Sequence, residues 1–105
     1  MTFEDVRRLP LLQTKSIAEA AEDEQTHDYI VTCLNKLLRG DYGKLGEEDT
    51  NANNKELEAG EGKILARYPK AGKLSGDIYI IAYFSEEMAG DIEANHIMIM
   101  YPEEY

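Results

Sequence analysis

Carboxylates are the side chains with the greatest chemical capacity in this sequence. Twenty-one Asp and Glu stand against 11 Lys and Arg, for a formal net charge of −10. Many are gathered into short groups: Glu22-Asp23-Glu24, then Glu47-Glu48-Asp49, then Glu86, Glu87, Asp91 and Glu93. Grouped carboxylates can transfer protons, ligate a hard cation or form an anionic surface that complements a basic partner. Proton transfer needs a defined pair, and no spacing here marks a dyad. A calcium loop needs alternating acids and a distal Glu, and Glu47-Glu48-Asp49 are adjacent instead. Adjacent acids ahead of a helix read as first-turn residues favoured by the helix dipole, so no metal ligand is assigned. The anionic surface remains.

The other reactive side chains are few. Cys33 falls inside an apolar helical stripe, where a thiol packs rather than reacts, because a nucleophilic cysteine needs an electropositive, partly exposed site. His27 and His96 lie far apart with no third ligand placed by spacing. Gly40-Asp41-Tyr42-Gly43-Lys44-Leu45-Gly46 could suggest a phosphate cradle, but its spacing is not that of a P-loop, no strand precedes it and three carboxylates follow. It reads as a turn with positive backbone angles. No nucleophilic triad order is present, and a non-enzymatic protein without a cofactor is expected.

The distribution of charge is more telling than its sum. After Lys73 there is no Lys or Arg but seven acids, and between Ser16 and Asn35 there are five acids and no base. Such a field repels nucleic acid and anionic lipid. It attracts a basic protein surface and speeds encounter with it, although the same charge also serves solubility alone. Five bases between Lys55 and Lys73 are the exception, and read as a salt-bridged surface rather than a basic ridge.

Length and composition bound the rest. One domain over residues 1–105 is expected from 105 residues, 43% of them apolar. A lone cysteine cannot form an internal disulfide, which suits a reducing cytoplasm. The longest apolar runs are too short to span a bilayer. Met1 to Arg8 has acids ahead of its bases and no apolar run, so no signal peptide is expected.

Three strands and two or three helices must position these groups. Asp77 to Phe84 is apolar on both alternating faces and rich in β-branched and aromatic residues, so it belongs mid-sheet. Its neighbours are Lys63–Tyr68 and His96–Tyr101. Leu9-Pro10-Leu11-Leu12 reads as an apolar turn. Ser16 with Glu19 has capping-box spacing and predicts a short helix over 17–22. Tyr29, Ile30, Cys33, Leu34, Leu37 and Leu38 make one stripe and predict a helix over 24–39, stopped by Gly40. A third, solvated helix over 50–59 is weakened by Asn51, Asn53 and Asn54 and needs burial or side-chain hydrogen bonds to hold it. The expected architecture is α+β, with two or three N-terminal helices packed on a three-stranded antiparallel sheet. The 24–39 helix covers one face, and short helices, a homodimer mate or a bound partner must cover the other. Ser85–Asn95, acidic with apolar Met88 and Ile92, is long for a connection in a small domain and reads as the partner-specific element.

Several of these stretches resemble a family of small proteins carried by bacterial plasmids, phages and integrated elements. The likeness rests on Gly40-Asp41-Tyr42-Gly43, Glu47-Glu48-Asp49, Asn51 or Asn54, Ile64 to Tyr68, Asp77 to Ile81, and Met100-Tyr101-Pro102-Glu103-Glu104-Tyr105, over about two-thirds of the chain. The chain departs from the family pattern at Ser85–Asn95, which looks inserted. The restriction-methylation label carried by some members finds no support, since the glycine-rich cofactor loop and the Asn-Pro-Pro-aromatic motif are missing. What the resemblance implies is an anti-defence role of the anti-CRISPR kind in a bacterial cytoplasm. The expected partner is then the basic groove of a CRISPR effector nuclease or other host defence protein, with no direct binding of nucleic acid or membrane. The expected contacts are Glu22, Asp23, Glu24, Glu47, Glu48, Asp49, Glu86, Glu87, Asp91 and Glu93. The alternative is a non-inhibitory binding accessory of plasmid or phage maintenance.

Overall fold

A computed structural model describes residues 1–105. Helix α1 (Phe3–Arg7) leads to strand β1 (Leu11–Gln13), then α2 (Lys15–Ala20), α3 (Glu24–Leu37) and α4 (Glu47–Ala59). Strands β2 (Glu61–Tyr68), β3 (Ile78–Ser85) and β4 (His96–Met100) follow, and a 3₁₀ turn (Pro102–Glu104) comes last. No helix is long and apolar enough to cross a membrane.

The class is α+β, but the sheet has four strands in the order β1-β4-β3-β2. The expected antiparallel trio is present with β3 at its centre, Ile64 facing Ala82 and Ala82 facing Ile97. The correction is β1, read from the sequence as a turn, which pairs in parallel with β4, Leu11 opposite Ile97 and Gln13 opposite Ile99. Three residues are too few to show alternation, and a parallel partner 86 positions away leaves no local signature. Helix α1 was also missed, although Thr2 and Asp5 form a reciprocal capping box around it.

Local chemistry explains the other boundaries. The N-cap of α2 is Thr14, whose hydroxyl accepts from the Ile17 N–H at 3.4 Å, so the cap lies two residues before the expected Ser16. Asp23 caps α3, and Glu47, Glu48 and Asp49 form the first turn of α4, as the dipole favours. Gly60 closes α4 in the left-handed conformation (φ 72°).

The core is a cluster of 19 buried residues on one face of the sheet. Ile64, Ala66, Ile78, Ile80, Phe84, Ile97 and Ile99 meet Ile30, Cys33 and Leu37 of α3 there, with Ile17 of α2 and Val6 of α1. The 24–39 stripe therefore covers one face as expected. The opposite face carries a row of Leu65, Ile81 and Met98 in register. Ile81 is fully buried within it. Tyr105 folds onto this face. It meets Tyr79 edge-on at 5.9 Å between centroids, and the Lys63 ammonium sits 4.7 Å over its ring.

The β2 edge is closed by side chain and loop. Asn53 of α4 donates from Nδ2 to the Leu65 C=O at 2.8 Å and accepts the Leu65 N–H on Oδ1 at 3.0 Å. Two positions on, the Arg67 N–H donates to the Tyr42 C=O and the Lys44 N–H donates to the Arg67 C=O. The Gly40–Gly46 stretch is thus the expected turn, and it is used as an edge cover. Gly43 (φ 73°) is required there, since a Cβ would overlap the Arg67 carbonyl oxygen.

Candidate functional site: the acidic loop between β3 and β4

The connection from Ser85 to Asn95 is built around two buried polar side chains, Ser85 and Asn95. Asn95 Oδ1 accepts the Ser85 N–H at 2.9 Å, and its Nδ2 donates to the carbonyls of Met88 (2.9 Å) and Asp91 (3.1 Å). The Met88 N–H donates to Ser85 Oγ, and the Glu93 N–H donates to Asp91 Oδ1. Successive turns at Asp91, Ala94 and Asn95 complete the framework. His96 Nδ1 lies 2.8 Å from the Ile92 carbonyl, so that nitrogen carries a proton. One amide side chain thus ties both ends of the loop to its middle.

This framework presents Met88 and Ile92 to solvent, 51% and 53% exposed. Glu86, Glu87, Asp91 and Glu93 neighbour them in the chain, all exposed, and the loop contains no Lys or Arg. Glu86 pairs with the α-amino group of Met1 at 3.2 Å, and the other three have no ion-pair partner. Exposed apolar side chains in an acidic loop suit a protein partner of opposite charge, although Arg8 lines a cavity beside Asp91 and Ile92.

The remaining predicted carboxylates lie elsewhere. The β2–β3 register puts Ser85 opposite Glu61 at one end of the strands and Ile78 opposite Tyr68 at the other. Glu22-Asp23-Glu24 and Glu47-Glu48-Asp49 belong to the Tyr68 end, because Thr26 accepts from the Lys73 N–H and Lys44 bonds to Arg67. The eight residues of β2 span about 23 Å between the two ends at 3.3 Å per step. The ten carboxylates therefore do not form one continuous row.

Asp23 is also engaged internally. It accepts from the Thr26 hydroxyl (2.8 Å) and N–H (3.0 Å), and these bonds lower its pKa. Glu22, Glu24, Glu47, Glu48 and Asp49 are exposed and form no ion pair.

Two cations, Lys44 and Arg67, meet at Asp77, a residue that sequence reasoning did not single out. Its Oδ2 accepts from Lys44 Nζ (2.9 Å) and Arg67 Nε (3.0 Å), and its Oδ1 accepts from the Lys70 N–H (3.1 Å). The Lys44 and Arg67 hydrogen bonds are the main reasons its carboxyl is held down to about 2. Of the five bases from Lys55 to Lys73, only Arg67 forms an ion pair, so the expected salt-bridged surface is not formed by that stretch; Lys44, outside it, supplies the second cation on Asp77.

The other reactive residues are structural. Cys33 is fully buried and burial pushes its thiol up, against the thiolate form. No group of three or more His, Cys, Asp or Glu side chains is arranged to hold a metal ion. Compared with family models, curated proteins and solved structures, the chain matches none.

Proposed function

We propose that this chain is a non-enzymatic acidic binding protein that docks on the basic nucleic-acid groove of a host defence nuclease, of the CRISPR effector kind, and inhibits it. The observation that carries the reading is the pre-organised β3–β4 loop, which exposes Met88 and Ile92 together with Glu86, Glu87, Asp91 and Glu93. A nuclease groove is lined with Lys and Arg that hold a heteroduplex by its backbone. Carboxylates on a rigid loop compete for those cations without loop-ordering cost, and the apolar pair supplies desolvated anchors. The choice of a nuclease over other basic proteins comes from the resemblance to mobile-element proteins.

The test is target cleavage by purified guide-loaded CRISPR nucleases of several types, with and without this protein, at low and high salt. Inhibition is expected to fade as salt rises. Combined reversal of Glu86, Glu87, Asp91 and Glu93 to Lys is expected to abolish it, while reversal of Glu47, Glu48 and Asp49 leaves most of it. Equal inhibition by the loop-reversed protein rules out this loop as the contact. No inhibition of any effector removes the nuclease reading and leaves a non-inhibitory binding accessory.

A further inference from the structure

Met1, the end of α4 and the start of the acidic loop meet at one point. The α-amino group of Met1 donates to the Leu57 C=O at 3.0 Å and lies 3.2 Å from Glu86 Oε1. Leu57 is in the last turn of α4, where carbonyls have few helical partners and the dipole favours a cation. Glu86 is the first residue after β3, and its N–H donates to the C=O of Gly60, the residue that closes α4. A side chain at Gly60 would obstruct this meeting, since a Cβ there would lie 2.5 Å from the Glu86 carboxyl carbon.

The ammonium is fixed from its own side as well. Met1 packs against the core, and its side chain is only 9% exposed. The Thr2–Asp5 capping box holds the next residue, with the Thr2 N–H donating to Asp5 Oδ2 at 2.9 Å. No Lys or Arg side chain pairs with Glu86, so the α-amino group is its one cationic partner. Asn95 ties the acidic loop to itself and to Ser85, whereas Met1 ties the loop's first residue to α4.

We infer that the α-amino group of Met1 is a modification-sensitive clamp on the acidic loop, so that acylation or extension of the chain at this nitrogen frees the Glu86 side chain and loosens the loop's entry. Acylation joins the nitrogen to the carbonyl carbon of an activated acyl donor such as a thioester. Of the ammonium's protons, one stays on the new amide, one leaves with the thiol and one goes to water. The product is neutral and has a single N–H to share between Leu57 and Glu86. Met1 is nearly buried once the chain folds, so the acyl group is added beforehand. Glu86 then stands without an ion-pair partner, as Glu87, Asp91 and Glu93 already do. The clamp does not rest on the inhibitor reading, because exchange and melting report it in the absence of any partner.

The test compares the intact chain with a free Met1, with an acetylated Met1 and with a Gly-Ser extension ahead of Met1, each verified by mass spectrometry. Amide exchange at Gly60 and Glu86 is expected to be about tenfold faster in both modified forms, as loss of a charge-assisted hydrogen bond implies, with the β4 amides unchanged. Glu86→Gln keeps an acceptor and removes the charge. It should speed the same amides in the free-amine chain, and acetylation on top of it should add little, because both changes remove one pair. Thermal melts show whether the modified chains fold, and Glu86→Gln with a free amine decides the matter where they do not. The inference is overturned by equal exchange in the free and acetylated chains, by effects of acetylation and Glu86→Gln that simply add, or by wild-type exchange in Glu86→Gln.

Discussion

Asn53 does with one amide what a neighbouring strand does with two peptide groups. It is buried, and its donor and acceptor each meet the matching group of Leu65, so only one orientation of the amide fits. Asn53→Ala strips both Leu65 groups of their partner and is expected to cost about 2–3 kcal/mol, read from urea unfolding. Asn53→Asp should cost more, since a carboxylate oxygen then faces the Leu65 carbonyl. Asp77 makes a different prediction, in pH. Its carboxyl is held down from 3.8 to about 2, so the folded chain binds this proton more weakly than the unfolded chain does. The stabilisation from the Lys44–Asp77–Arg67 cluster is complete above pH ~4 and fades as pH falls towards 2. Asp77→Asn should therefore melt lower than wild type at pH 6, and the gap should close by about pH 2. A gap that persists unchanged in acid would mean that Asp77 acts through neutral hydrogen bonds instead. The linear chain shows that the Asn51–Asn54 run needs burial or side-chain hydrogen bonds, which Asn53 has, but not that its partner is Leu65 of β2, and it shows Asp77 only as the start of a strand.

The elements differ in how much of their cause is local. Helix α3 is legible because Ile30, Cys33 and Leu37 repeat with the period that buries them. Strand β3 is legible because its central place demands two apolar faces, and Ile80 and Ile81 are both fully buried. Strand β1 is not, since exposed Leu11 and Leu12 owe their conformation to β4, a contact with no local trace. The acidic loop falls between these cases. Its composition was legible, with Met88 and Ile92 among acids, but the part played by Asn95 was not. That role gives a prediction belonging to the loop as a unit. Asn95→Ala removes three hydrogen bonds and no charge. It should speed amide exchange from Glu86 to Ala94 and weaken partner binding at least tenfold, with the four carboxylates intact. Unchanged affinity with fast exchange would show that charge alone, without pre-organisation, makes the contact.

The whole molecule carries more anionic charge than its fold uses. Of its 21 Asp and Glu, only Glu4, Asp77 and Glu86 form ion pairs. The remainder repel one another, and a net charge of −10 on a chain with a radius of gyration of 13.2 Å puts most pairs within reach of each other at low salt. Adding salt shortens that reach, to about 10 Å at 0.1 M. It should therefore raise the melting temperature while it lowers affinity for a basic partner, two opposite responses to one cause. Reversal to Lys of Glu87 and Glu93, whose side chains hold no ion pair and no framework bond, lowers the net charge from −10 to −6 and should mimic the salt effect on stability. The variant should melt at or above the wild-type temperature in low salt, respond less to added salt, and bind a basic partner far more weakly. Such a separation would show that the acidic surface contributes to contact and not to folding. A melting temperature that falls with salt would mean that the few ion pairs around Asp77 outweigh the repulsion of all the unpaired carboxylates. The surface charge would then be a stabilising feature in its own right.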